Sequence, residues 1–168
     1  DFEREAGRIL GRDVKVEGNA SARLLPFPSV TFTDVTVAGV EPGQPAMTVE
    51  TFSMDAELAP FMRGEFLIFD MRLVRPSVLV DVAEDGGVDW AMRPSVPIGA
   101  SNISLEKLTV SEGRIALRHE ASGRTHQFTE INADISARAL NGPWRIDGSM
   151  RIDGMLTELA ASTGTYDG

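Results

Sequence analysis

From Asp13 onward, apolar residues fall at every second position. Val14 and Val16, Val30 and Phe32, Val35 and Val37, and Phe52 with Met54 and Ala56 alternate with polar residues. Val78 with Val80 and Val82, Ile115 with Leu117, and Ile131 with Ala133 and Ile135 do the same. A period of two is that of a strand with one face apolar and one face polar. β-branched residues fill the runs, and Gly, Pro and Asp separate them, so the pattern predicts about ten strands. With almost no helical sequence between them to make crossovers, an antiparallel meander is expected. Before Asp13 the spacing changes. Phe2, Ala6, Ile9 and Leu10 recur as on a helix, with Gly11 as a stop, which predicts a short N-terminal α-helix over 1–12. Leu156, Leu159 and Ala160 give 155–161 a weaker helical spacing, leaving 155–168 as a separate end piece, the start of a helix or a loop.

The chain repeats itself. Residues 66–86 (FLIFDMRLVRPSVLVDVAEDG) lie over 103–123 (ISLEKLTVSEGRIALRHEASG) without a gap, at an offset of 37. Val30, Phe32, Val35 and Val37 keep the same spacing at an offset of 36 from Phe66. A second motif, Val49, Phe52, Met54, Ala56 and Leu58, recurs as Phe128, Ile131, Ala133, Ile135 and Ala137. Self-similarity at a fixed period marks a repeating architecture. In each copy of the first motif the alternation slips by one residue, near Asp34, Asp70 and Glu106-Lys107. A slip would turn every later side chain to the other face, so bulges or bends are expected there. Repeated bends curl a sheet.

The outcome is a curved sheet over 13–154 with an apolar face and a face of Asp, Arg, Thr and Ser. Ten strands at about 4.8 Å each span about 48 Å, more than one short helix can cover. Either the sheet closes into a dry barrel or sandwich, or an apolar trough stays open. An open apolar surface of that size has a function. The alternates that would line it are Val30, Phe32, Phe52, Met54, Phe66, Ile68, Val78, Val80, Leu105 and Ile115.

Composition narrows the function classes. The 25 acidic residues outnumber 16 basic ones, for a formal charge of -9, which argues against a general nucleic-acid binder. The absence of Cys excludes disulfides, thiolate catalysis and Cys-based metal sites. No apolar run approaches the roughly 18 residues of a spanning helix. The chain opens on Asp1 and stops at Gly168 as a piece of something longer would.

Candidate chemistry is sparse. Asp81, Asp85, Gly86, Val88 and Asp89 match part of a calcium-binding loop, but Ala83 and Met92 stand where two ligands belong. A glycine turn closing a hairpin is the simpler reading. His119 and His126 flank a turn and could face one another, without a visible third metal ligand. No nucleophile elbow, phosphate-binding loop or dinucleotide fingerprint occurs, so no enzyme, metal or cofactor is expected. Trp90 and Trp144 follow turn residues and read as turn-packing aromatics, with lipid contact as the alternative. Leu24, Leu25, Pro26 and Phe27 read as a core knot.

Four stretches carry a family resemblance. They are GRDVKVEGNASARLLPFPSVTFTDVTVAG (11–39), MTVETFSMDAELAPFMRGEFLIFDMRLVRPSVLVDV (47–82), DGGVDW (85–90) and ISLEKLTVSEGRIAL (103–117). In order and spacing they resemble the AsmA family of bacterial envelope proteins, related to the TamB-like and chorein-like proteins. Asp89 departs from the Asn usual in that turn. The resemblance covers about residues 1–154. It implies a half-pipe or taco-shaped β-groove that cradles phospholipid acyl chains. It also implies a periplasmic location, with residues 1–12 continuing a helix anchored in the inner membrane, and a part in outer-membrane integrity. An envelope scaffold or outer-membrane-protein assembly factor, acting through its sheet edges, is the alternative.

Overall fold

The computed structural model describes residues 3–4, 7, 12–39, 43–86, 88–89, 102–139 and 142–164. Eleven strands form one sheet. In chain order they are β1 (Val14–Val16), β2 (Ala20–Arg23), β3 (Ser29–Ala38), β4 (Pro45–Glu57), β5 (Phe66–Val74), β6 (Ser77–Val82) and β7 (Val88–Asp89). Then come β8 (Ile103–His119), β9 (Arg124–Ala137), β10 (Trp144–Ile152) and β11 (Met155–Ser162). A single helical turn, α1 (Leu58–Phe61), joins β4 to β5. Of the predicted N-terminal helix, Glu3, Arg4 and Gly7 are helical, and its other residues through Gly11 lie outside the described residues.

The sheet is open. Its path runs β1-β3-β4-β5-β8-β9-β10-β11, with β2 on β3 and with β6 on β4, β7 and β8; among the described residues β1 and β11 do not pair and no barrel closes. The fold is mainly β, as the alternation predicts, but the sheet is mixed. β8 runs parallel to both β5 and β6, which corrects the all-antiparallel expectation. Alternation reports which face a residue occupies and says nothing of strand direction. The chain between Val82 and Ile103 returns to the starting end, long enough for a crossover.

The parallel pair explains the repeat. Phe66 lies opposite Ile103, Ile68 opposite Leu105, Met71 opposite Leu108 and Leu73 opposite Val110. Val78 and Val80 continue opposite Ile115 and Leu117. Each residue therefore sits beside its own repeat mate, 37 positions on. Parallel neighbours hold one register only if they bulge at the same place, and they do. On β4, Met54 and Ala56 are two apart but face Met71 and Ile68, three apart. On β9, Ala137 and Ile135 face Leu105 and Leu108 in the same way. The extra residue, Phe69 beside Asp70 on β5 and one of Glu106-Lys107 on β8, keeps both apolar positions on one face. At Asp34, the third slip, the backbone is left-handed (φ 53).

Arg75 (φ 48), Glu112 (φ 51) and Glu130 (φ 47) are left-handed too. Arg75, between β5 and β6, and Glu112, on β8, are repeat mates. Pro76, lacking an N–H, breaks β5 from β6, whereas Gly113 lets β8 run on. The Cβ direction of Gly113 points at Val110 Cγ1, Ile131 Cβ and Pro76 Cγ (3.0, 3.3 and 3.4 Å). That shared direction puts Val110, on one side of the break, and the 76–80 and 113–117 alternates, on the other, on the same face.

Two sequence expectations fail locally. Met155–Ser162 is a strand rather than a helix, because Asp153 (φ 47) and Gly154 (φ 89) make a two-residue hairpin turn that lays it on β10. Leu24, Leu25, Pro26 and Phe27 are exposed rather than a core knot, with Phe27 alone of the four making a ring contact, to Phe69.

Candidate functional site

Register divides the sheet into two unlike faces. Across β3, β4, β5 and β8, the rows Val30–Met54–Met71–Leu108 and Phe32–Phe52–Leu73–Val110 share one face. The row Ala56–Ile68–Leu105–Ala137 runs beside them. The rows continue through Ile135 to Ile146 and through Ala133 to Gly148. The opposite face carries Thr31–Ser53–Arg72–Thr109–Asp134–Asp147. All ten predicted liners lie on the apolar face. Ile68, Val80 and Leu105 are buried, and Val30, Phe32, Phe52, Met54, Phe66, Val78 and Ile115 are half-buried. Phe32 and Phe52 stack at 6.1 Å.

Burial on this face is uneven. Ile68, Ile103, Leu105 and Ala137 form a buried cluster, screened by Met54, Phe66, Met71, Leu108 and Trp144 on the same sheet. Trp144 is thus a packing aromatic, as its turn position predicts, while Trp90 lies outside the described residues. Among the described residues no large side chain is fully buried. Among the described residues the substantial contacts between elements run between neighbouring strands, plus α1 against β5, so no second layer covers the apolar face.

The polar groups make structural pairs. Arg75, in the break between β5 and β6, bridges Glu50 of β4 (2.7 Å) and Glu112 of β8 (2.8 Å), and Arg151 meets Glu130 at 2.6 Å. The Glu50 hydrogen bond, followed by the charge of Glu112, holds the Arg75 guanidinium above its ordinary range. This row of ion pairs follows the row of left-handed residues. Asp81, the first acid of the calcium-like loop, is held by Arg118 through two bonds of 2.6 and 3.1 Å, and Asp89 is described in its backbone alone. No group of three metal-ligating side chains occurs among the described residues.

His119 and His126 do not face one another: His119 pairs with Arg124, and His126 with Leu117. His126 Nδ1 lies 3.1 Å from Asp153 Oδ2, while the other Asp153 oxygen accepts the Gln127 N–H at 3.0 Å. The Gln127 bond, and then His126, hold the Asp153 carboxyl below its ordinary 3.8. A depressed carboxyl stabilises the fold above the unfolded value and loses that contribution as pH falls through the folded one. The stability gap between the parent and Asp153→Asn should therefore shrink toward zero as the carboxyl is protonated in acid. Thermal melts of both proteins from neutral pH into acid check it; a gap that widens in acid would refute the assignment.

The site is therefore a surface rather than a constellation of reactive groups. Comparisons with family models, with curated proteins and with solved structures found no match. What the face can do follows from its chemistry: among the described residues its rows are built mainly of Val, Ile, Leu, Phe, Met and Ala.

Proposed function

We propose that this chain is a non-enzymatic lipid-binding and lipid-transfer module whose apolar sheet face cradles phospholipid acyl chains. The observation that carries the reading is the single apolar face, continuous across β3 to β10 and uncovered among the described residues. Water against such a face costs about 25 cal/mol per Å², and acyl chains relieve that cost without needing specific hydrogen bonds. The buried cluster adds support for curvature. Leu105 at 4% and Ile68 at 7% exposure are packed by Met54, Phe66, Met71, Leu108 and Trp144 of the same sheet, an arrangement that a concave face favours. Two rows of in-phase bulges supply a cause for that bend. Headgroups would remain in water at the rim. The likeness to the AsmA family adds the periplasmic side of the inner membrane as the place of action, and outer-membrane integrity as the purpose.

The test is lipid extraction and mass spectrometry on chain purified without detergent. Stoichiometric phospholipid is expected in the parent and should fall at least tenfold in Phe52→Glu, with a cooperative melt retained. Phe52 is half-buried, so a charge there spoils the surface before the fold. A lipid-free, cooperatively folded parent would refute the reading. The competing reading, a scaffold that accepts strands from other envelope proteins, is favoured by β11, which among the described residues pairs on one side only.

A further inference from the structure

Five large hydrophobic side chains project from one end of the sheet. Leu24 (78%), Leu25 (76%) and Phe27 stand on the turn from β2 to β3, and Leu58 and Met62 (85%) on the turn from β4 to β5. The two turns are neighbours. Ser29 at the start of β3 pairs with Asp55 near the end of β4, and the Ala56 N–H donates to the Pro28 carbonyl at 2.9 Å. Phe27 meets Phe69 of β5 edge-on at 5.4 Å, which ties the first turn to the sheet. The second turn is held by the Arg63 and Glu65 N–H groups, both donating to the Pro60 carbonyl.

We propose that this end docks on a lipid bilayer, with Leu24, Leu25 and Met62 entering the boundary between headgroups and acyl chains. The shape and chemistry select that occupant. The three side chains are almost fully exposed rather than packed, whereas protein hot spots are chiefly aromatic or Arg side chains seated in pockets, with Leu under-represented. Cations stand at the base of both turns: Arg23 directly before Leu24, and Arg63 directly after Met62. Arg23 is exposed with no acid partner among the described residues, and Arg63 has a long 3.5 Å contact with Glu65. An apolar tip above a guanidinium collar matches the layering of acyl chain and phosphate. The net charge of -9 works against general adsorption to anionic lipid, so the apolar tip must carry the attachment. Val30, Met54 and Ala56 of the apolar face lie at this same end of β3 and β4, so a docked tip would bring the face up to the bilayer. That purpose rests on the acyl-chain reading; the docking itself does not.

Flotation of the chain with phosphatidylcholine vesicles, and with vesicles of equal parts phosphatidylcholine and phosphatidylglycerol, tests the idea. Binding to both is expected. The double variant Leu24→Ser/Leu25→Ser should weaken it about a hundredfold, roughly tenfold per leucine, with an unchanged melt because both positions are exposed. A Leu25→Trp variant should shift its emission to the blue when vesicles are added. Phe52→Glu should keep vesicle binding while losing extracted lipid, which separates a failure of the face from a failure of the tip. Absence of vesicle binding by the parent, or binding unchanged in the double variant, would overturn the proposal. So would a parent that forms dimers by light scattering, ignores vesicles, and turns monomeric in the double variant; that result would assign the tip to a protein contact.

Discussion

Leu105→Ala is expected to lower the unfolding free energy by about 3 kcal/mol, within the range for truncating a buried leucine. Leu105 is buried in the cluster with Ile68, Ile103 and Ala137, at the point where β5, β8 and β9 run side by side. Its neighbours are held by in-phase bulges, so the backbone cannot collapse into the void one strand at a time. The companion variant Val78→Ala, on the same face but half-buried, should cost only about 1 kcal/mol. Denaturant titration of both gives the contrast. Equal losses would mean that the whole face is packed alike, and an open acyl-chain surface would then have no support in the energetics.

Gly148→Val should be at least as damaging. Gly148 lies on β10 opposite Ala133 of β9. A Cβ there would meet the Asn132 carbonyl oxygen at 2.2 Å, Ala133 Cα at 2.6 Å and Ala133 Cβ at 2.8 Å. Two of those atoms are backbone, so no rotamer change relieves the clash and the strands must separate. A loss of about 3 kcal/mol is expected, at the upper end of overpacking. Hydrogen exchange should localise the damage to β10 and β11 while β5 and β8 keep their protection. A stability within about 0.5 kcal/mol of the parent, the ordinary range of a surface substitution, would show that the strands do not approach this closely.

Much of this architecture is legible in the residues, and the illegible part has a physical pattern. Face assignment is readable because side chains alternate across a strand; every predicted liner falls on the apolar face. The slips at Asp70 and Glu106-Lys107 are readable as bulges because the apolar period demands an extra residue there. Direction is not readable. Phe66 and Ile103 repeat whether their strands run together or apart, and only the return of the chain between Val82 and Ile103 decides it. The strand over 155–162 did have a signal, since Asp153-Gly154 is a hairpin pair, but the local spacing of Leu156, Leu159 and Ala160 mimics a helix. Leu24 and Leu25 mislead for another reason: an apolar side chain in a turn is core only if something packs on it, and that is tertiary information.

The parallel repeat also bears on how large such a protein can be. A residue and its mate 37 positions later sit one inter-strand step apart, about 4.8 Å, with their bulges aligned. Duplicating one such block adds width without disturbing the register of the strands already there, much as a row is added in knitting. A shorter or longer block would dephase the bulges and turn apolar side chains to the wet side. The reach of the apolar surface is therefore adjustable in whole steps, and selection for a longer span can act by counting blocks instead of remodelling a site.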